Sequence, residues 1–214
     1  MKKKKSQSRI YGGVEANLRE EDRRKKLIEA GLEAFGTRGY AKTNIKTICK
    51  IAGLTERYFY ESFRHKEDLL CAVYRELIDE GQRDAMAAME DSDGFPLETA
   101  LRALKMFYQR FQRDPRRAQI QLFEILGVSQ SIDREYLNAM RLLADVMRLL
   151  LCKVFPHIHE EILKKSMIPT GLAGSIIMIA HEWVLGGFVT PLDDIISQCM
   201  DLFVAVGKHI ESRS

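Results

Sequence analysis

The sequence predicts an all-α protein of about nine helices, divided into a small N-terminal domain and a larger C-terminal one. Apolar residues recur at helical spacing along most of the chain. Only 5 prolines interrupt the 214 residues, and the alternating runs of Val, Ile and Thr that favour strands are scarce. Because this length accommodates two cores, we expect a flexible basic arm at residues 1–18, a three-helix domain at 19–66 and a second helical domain at 67–214.

The first helix is predicted from about Glu20 to Thr37, followed by the Arg38-Gly39 stop. Apolar or small residues fall on one of its sides: Leu27, Ile28, Gly31, Ala34 and Phe35. The segment before it is rich in lysine and contains a Tyr11-Gly12-Gly13 turn signal. That arm is either a disordered tail or a segment that lies along phosphates or in a minor groove through Arg9 and the lysines.

Two short helices joined by a tight turn are predicted next. An apolar stripe at i, i+3, i+4 and i+7 marks the first of them: Ile45, Ile48, Cys49 and Ala52. We expect Thr43 to cap this helix, Gly53 to close it in the left-handed conformation and Thr55 to cap the second helix. Phe59 and Phe63 take the inner side of the second helix, which leaves four side chains pointing outward: Glu56, Arg57, Tyr58 and Glu61. This pattern is typical of a helix-turn-helix that reads DNA.

Residues 52–70, AGLTERYFYESFRHKEDLL, resemble the DNA-binding signature of TetR-type repressors. The matching positions are Ala52, Gly53, Leu54, Thr55, Phe59, Tyr60, Phe63, Lys66, Glu67 and Leu69. The departures are Arg57, where a small or turn-favouring residue is common, and Arg64-His65, where a pair such as Pro-Ser is usual. The resemblance is specific over residues 22–70 and only architectural beyond them.

The resemblance implies a partner and a set of contact residues. The partner is double-stranded operator DNA, and base-edge contacts are expected among Lys46, Arg57, Tyr58 and Glu61. Phosphate contacts are expected mainly from Thr43, Asn44, Thr55, Tyr60 and Lys66. The charge pattern agrees with this, since residues 1–66 hold 17 Lys and Arg against 8 Asp and Glu, whereas residues 67–214 hold 16 against 22. A polyanionic partner is therefore expected at the N-terminal end.

Six further helices are predicted beyond the motif, separated by Pro and Gly signals. The fourth begins at Lys66 with carboxylates in its first turn, which suit the helix dipole, and ends before DSDGFP at residues 91–96. The fifth ends at Asp114-Pro115. The remaining four are expected at about residues 116–126, 131–155, 170–189 and 193–212.

The last two predicted helices are apolar nearly all round, which requires cover on both sides. The resemblance implies that they form a four-helix interface with the same pair from a second chain, so a homodimer is expected. The uncharged run Ser166 to Ala180 is too short to span a membrane and contains Pro169, so a buried helix and no membrane contact are predicted. No apolar segment follows Lys2 to Lys5, and a cytoplasmic location is expected.

A group of aromatic, methionine and sparse polar side chains on the predicted fifth to eighth helices suggests a pocket for a small-molecule effector. Each of these residues is also compatible with a role in the core. The polar members point to a neutral or cationic ligand, because two acids in a site of low dielectric disfavour an anion. The candidates are Met106, Phe107, Tyr108, Phe111, Phe123, Glu124, Met147, Met178, His181, Glu182 and Trp183.

Other chemistry receives little support. The four cysteines are widely spaced without a C-x-x-C pair, and His157 and His159 would not share a helical face, so neither a metal nor another cofactor is predicted. No nucleophile elbow or phosphate-binding glycine loop is present, so we do not expect an enzyme. A ligand-responsive, homodimeric repressor is the leading interpretation. The alternatives are an enzyme acting on an apolar substrate in the C-terminal domain and an architectural protein that binds DNA without sequence preference.

Overall fold

The computed structural model describes residues 5–90 and 95–213, and the side chains of residues 18–88 and 95–213. Within these ranges the chain is helical and contains no strand, which confirms the all-α prediction. The elements are α1 (Lys5–Arg38), α2 (Ile45–Ala52), α3 (Glu56–Ser62), α4 (Lys66–Glu90), α5 (Pro96–Arg113), α6 (Pro115–Ala118), a π-helical segment (Gln119–Glu124), α7 (Gln130–Val154), α8 (Glu160–Lys164), α9 (Ile168–Leu185) and α10 (Leu192–Glu211). The short α8 lies between the helices predicted at about 131–155 and 170–189, where no helix was predicted.

The first helix begins earlier than predicted. The backbone is helical from Lys5 onward, although a flexible arm was expected at residues 1–18 and a helix only from about Glu20. The Gly12-Gly13 pair was interpreted as a turn, but each glycine costs a helix only about 1 kcal/mol relative to alanine, and no proline interrupts this stretch. Residues 1–4, which hold three of the lysines assigned to the arm, lie outside the described residues.

The contacts divide the chain into two compact units, Met1–Tyr74 and Arg75–Ser214. The predicted division at residue 66 falls at the start of α4, two turns before the observed one. In the first unit α1 packs against both α2 and α3. Its core consists of the fully or almost fully buried side chains Leu27, Ala34, Phe35, Ile48, Cys49, Phe59, Phe63, Leu69, Leu70 and Val73.

The core of the second unit is formed mainly by α5, α7, α9 and α10. One close approach shows how tightly it is packed. A Cβ atom added to Gly207 on α10 would lie 2.0 Å from Cε2 of Phe155, the residue that ends α7. The glycine therefore makes room for the Phe155 ring, whose centroid also lies 6.1 Å from that of Phe203.

A network of ion pairs joins the second half of α4 to α5 and α6. The guanidinium of Arg110 donates to the backbone oxygen of Leu77 at 3.1 Å and to Glu80 at 3.2 Å, and it lies 3.3 Å from Asp84. Arg117 also bonds Glu80. Burial lowers the pKa of Arg110. A buried cation is tolerated here because carboxylates and a carbonyl surround it.

The helices α9 and α10 differ in how completely they are covered. By length and composition α9 could cross a membrane, but core helices of soluble proteins meet the same criterion. Of the residues in α9, 33% are buried. Its outer side leaves Met178 and Leu185 exposed. The expectation that α10 is apolar nearly all round is wrong, because its outer side carries Gln198 and Asp201. Phe203, which lies on one of the two helices expected to form the intersubunit interface, is 3% exposed in the core of its own chain.

Candidate nucleic-acid interface

The first helix of the motif, α2, is capped by Asn44 and not by Thr43. The side-chain oxygen of Asn44 accepts from the backbone N–H of Thr47 at 2.9 Å. Thr43 is 2% exposed, and its hydroxyl group bonds the backbone oxygens of Gly39 at 2.8 Å and Ala34 at 3.2 Å. Thr43 therefore ties the beginning of α2 to the end of α1, and its hydroxyl has no room to hold a phosphate.

The turn between α2 and α3 has the hydrogen-bond pattern of a Schellman motif. Gly53 adopts a left-handed φ of 65°, as predicted, and the N–H of Leu54 donates to the oxygen of Cys49 at 2.9 Å. Thr55 follows in an extended conformation at the N-cap position of α3, but its side chain makes no capping hydrogen bond. The Thr55 hydroxyl is exposed in this conformation.

The second helix, α3, is held by one buried aromatic side chain. Phe59 is 0% exposed, and its ring centroid lies 5.8 Å from that of Phe63. The opposite side presents Glu56 and Arg57 to solvent, as the sequence pattern predicted, and Tyr60 is exposed as well. Tyr58 is half-buried because the guanidinium of Arg23, from α1, lies 4.7 Å from its ring centroid.

Charged side chains on α1 and α3 meet at Glu61. Nε of Arg57 lies 3.0 Å from Oε1 of Glu61, and Nη2 of Arg23 lies 3.8 Å from Oε2. The sequence signature did not identify Arg23, because it lies on a different helix and carries no motif of its own. Lys46 is exposed on α2, where it can reach a nucleic acid.

Lys66 has a structural task that the sequence resemblance did not indicate. Its ammonium group donates to the backbone oxygens of Tyr40 and Thr43, each at 2.7 Å, and lies 4.0 Å from the ring centroid of Tyr40. Partial burial lowers the pKa of Lys66. Since an ammonium group has three N–H donors, at most one remains for a phosphate.

A polar cleft of about 280 Å³ lies between α1 and α3. Its lining residues are Glu20, Glu21, Arg24, Glu61 and Ser62. Arg24 closes one part of it by donating to the backbone oxygen of Ser62 at 3.1 Å, with its guanidinium 4.3 Å from the Phe63 ring centroid. The cleft holds three carboxylates and one arginine, so its net negative charge disfavours a phosphate. It is therefore not a phosphate-binding part of the interface.

The predicted effector-pocket residues are not all brought together. Four are buried in the core, namely Tyr108, Phe111, Met147 and Trp183, while Met178 and Glu182 are exposed. Met106, Phe107, Phe123, Glu124 and His181 are partly buried. The chain itself satisfies two of the polar groups: the hydroxyl of Tyr108 donates to Ile176 at 2.9 Å, and the indole N–H of Trp183 donates to Thr190 at 2.7 Å. Burial raises the pKa of Tyr108.

Two of the candidates meet where the π-helical segment faces α9. The ring centroids of Phe123 and His181 are 4.6 Å apart. Nδ1 of His181 is buried and has no hydrogen-bond partner among the described residues, with the nearest carboxylate oxygen, Oε1 of Glu182, at 3.5 Å. Glu124 accepts from Gln119 at 2.8 Å. π-Helical segments occur frequently at functional sites.

Among the side chains of residues 18–88 and 95–213, no group of three or more His, Cys, Asp or Glu residues has an arrangement that could hold a metal ion.

Comparison with known proteins identifies the family of the helix-turn-helix. The family described as bacterial regulatory proteins, tetR family, matches residues 27–73, which span the C-terminal part of α1, all of α2 and α3, and the start of α4. Over residues 27–73 the chain therefore has a helix-turn-helix of the TetR type. A relative from Bacillus subtilis, the uncharacterized HTH-type transcriptional regulator YhgD, is 28% identical over 126 residues, which are 56% of this chain and 66% of that protein. The chain thus spans less than two thirds of the curated relatives that it matches.

Two solved structures of bacterial regulators share the fold over most of the chain. The fatty acid degradation regulator FadR from Bacillus halodurans superimposes with a TM-score of 0.72 at 16% identity, over 85% of this chain and 94% of that one. FadR from Bacillus subtilis in complex with stearoyl-CoA has a TM-score of 0.68 at 15% identity, over 84% and 97% of the two chains. At these identities the likeness shows the fold alone.

Replacing Lys66 tests its structural task in the TetR-family motif. Lys66→Met keeps the apolar stem but removes the two hydrogen bonds to Tyr40 and Thr43, so we expect a loss of about 1 to 3 kcal/mol in the free energy of unfolding. Urea denaturation measures it. Lys42→Met, at an exposed lysine of the same turn, is the control and should change stability by less than about 0.5 kcal/mol. Equal stability of the two variants would contradict the assignment.

Proposed function

We propose that this protein is a cytoplasmic, homodimeric transcriptional repressor that binds double-stranded operator DNA through α2 and α3 and is released by a small apolar or aromatic effector. The proposal that the protein binds DNA rests on one observation, namely which side chains of α3 are buried and which are exposed. Buried Phe59 fixes the helix, while the side chain of Arg57 is 84% exposed and Tyr60 is 57% exposed on the opposite side. A rigid helix that presents polar side chains outward is what major-groove readout requires.

The structure refines the contacts that we propose. Arg57 and Lys46 are exposed and can reach base edges, whereas half-buried Tyr58 can do so only with its outer part. Tyr60 and Thr55 present hydroxyl groups that can donate to phosphates, and the amide nitrogen of Asn44 is free to do so while its oxygen caps α2.

A selection from random double-stranded DNA tests the proposal. We expect a palindromic site, because a two-fold dimer reads two equivalent half-sites. Tyr60→Phe removes one hydroxyl donor and should weaken binding to the selected site and to random DNA by the same factor, as a phosphate contact requires. Fluorescence anisotropy at a fixed salt concentration measures both affinities. Selection of no preferred site would favour an architectural DNA-binding protein instead.

The proposed dimer forms through the outer sides of α9 and α10. These sides leave three large apolar residues exposed, namely Met178 at 59%, Leu185 at 63% and Leu202 at 37%. The buried sides of the same helices already pack against their own chain. An interface related by a two-fold axis would cover these apolar residues with the same residues of a second chain.

A charge on this surface should separate the subunits. Met178→Glu places a carboxylate where the proposed interface is desolvated, so we expect sedimentation to show monomers in place of dimers. The matched control is Met86→Glu, because Met86 on α4 is similarly exposed at 66% and should leave the dimer intact. A dimeric Met178→Glu variant would show that the interface lies elsewhere. Phe203 does not serve this test because a charge there would disrupt the core of the single chain.

We place the proposed effector beside Phe123 and His181. This is where two predicted pocket residues are in contact and where a buried nitrogen lacks a partner. The carboxylates of Glu124 and Glu182 favour a neutral or cationic ligand over an anion. The stearoyl-CoA complex of a protein with this fold supports an effector with a large apolar part, although that ligand is anionic.

Binding of the effector and of the operator should be coupled. Each should lower the affinity of the protein for the other by the same factor, corresponding to about 1 to 3 kcal/mol. A thermal-shift screen should include lipophilic amines, neutral aromatic compounds and stearoyl-CoA, and hits should be titrated with and without operator. Phe123→Ala should weaken binding of the effector. It should leave the operator affinity measured without effector unchanged. Hits whose affinity is the same with and without operator would rule out a regulatory site. Turnover of a hit would favour the enzyme alternative.

A further inference from the structure

We propose that Glu61 is a positioning residue that holds Arg57 so that its two terminal nitrogens face a guanine in each operator half-site. This inference rests on the proposed binding of operator DNA and names the base that α3 reads. It also revises the sequence-based interpretation, in which Glu61 was itself a candidate for base contact.

The Arg57–Glu61 pair holds the guanidinium of Arg57 through Nε only. The two residues are four positions apart on α3, and the bond between them uses Nε of Arg57 and Oε1 of Glu61 at 3.0 Å. A guanidinium that is held through Nε still has the N–H groups of both terminal nitrogens. These can donate side by side to O6 and N7 of guanine, the acceptor pair that arginine recognises in the major groove.

The other carboxylate oxygen of Glu61 lies near a second arginine, Arg23. Oε2 lies 3.8 Å from Nη2 of Arg23, whose guanidinium also covers the ring of Tyr58 at 4.7 Å from its centroid. The side chain of Arg23 is 25% exposed and that of Glu61 is 37% exposed, so both are less mobile than a free surface side chain. Each carboxylate oxygen therefore faces a cation, and Glu61 is fixed from α1 as well as from α3.

The charges decide what Glu61 can do near DNA. A lone carboxylate at the groove would repel phosphates, but two arginines beside it leave the group of three with a net positive charge. A carboxylate that accepts from Arg57 and forms an ion pair with Arg23 at 3.8 Å is a poor acceptor for the amino group of cytosine. Glu61 therefore acts on base choice through the orientation of Arg57.

The experiment measures base discrimination in the full-length protein. For wild type we expect one G·C pair in each half-site whose replacement weakens binding about 10- to 100-fold, the range for one bidentate contact. Arg57→Ala should abolish that discrimination, and Glu61→Ala should reduce it at least threefold at the same base pair and at no other. In the double variant Glu61→Ala should have no further effect, because its action requires Arg57.

A matched control separates positioning from a general effect of charge. Arg64 forms the same kind of pair with Asp68, with its Nε 2.9 Å from the carboxylate and 84% of its side chain exposed. Arg64→Ala should leave the relative affinities for the four bases at every operator position unchanged. If Glu61→Ala folds poorly by thermal denaturation, Glu61→Gln, which keeps the volume but loses the charge, should reduce discrimination at the same pair by a smaller factor.

The other outcomes overturn the inference. If Glu61→Ala relaxes a different base pair, and still does so without Arg57, then Glu61 reads a base directly. If it lowers discrimination at every position, its role is only structural. Unchanged discrimination in Glu61→Ala, with a palindromic site retained, would overturn this inference alone. Failure to select any site would overturn the proposed function and this inference together.

Discussion

The helix-turn-helix depends on how the chain satisfies the backbone groups of the turn between α1 and α2. Thr43 is the centre of this arrangement, because its hydroxyl reaches back to the end of α1 and its carbonyl accepts from Lys66 at the start of α4. Lys66 also bonds the carbonyl of Tyr40, which accepts the N–H of Thr43 as well. Buried carbonyl groups without partners are costly, so one lysine and one threonine determine where α2 can begin.

The position of α2 in turn determines that of α3, because only a three-residue turn that begins at Gly53 separates them. Phe59 then fixes the rotation of α3 about its own axis, and Arg23 reaches Glu61 from α1. Ion pairs as exposed as these contribute only about 0.2 to 1 kcal/mol to stability. Their value to this domain is therefore in orientation, since they limit the directions in which the arginine on α3 can point.

Sequence analysis predicted the helices well where periodicity and punctuation agree, as in α2, where an apolar stripe ends at a glycine with positive φ. It failed where tertiary contacts decide. Thr43 and Asn44 are both good capping residues, and only the burial of Thr43 shows that Asn44 takes the cap. Apolar character alone did not distinguish Phe203, which is buried in the core, from Met178, which is exposed, because periodicity does not say which side of a helix faces its own core.

Periodicity also could not show which of the eleven candidate effector-site residues face the core. The contacts in the structure narrow this group. Tyr108 and Trp183 use their polar hydrogens within the chain, so neither needs a ligand. His181 differs, because its buried Nδ1 has no hydrogen-bond partner among the described residues and lies 3.5 Å from Oε1 of Glu182. In the proposed site, a polar group of the ligand placed beside Nδ1 would supply the missing hydrogen bond, while the Phe123 ring covers an aromatic or apolar part. A polar group at that position is therefore a more specific requirement on the ligand than apolar character.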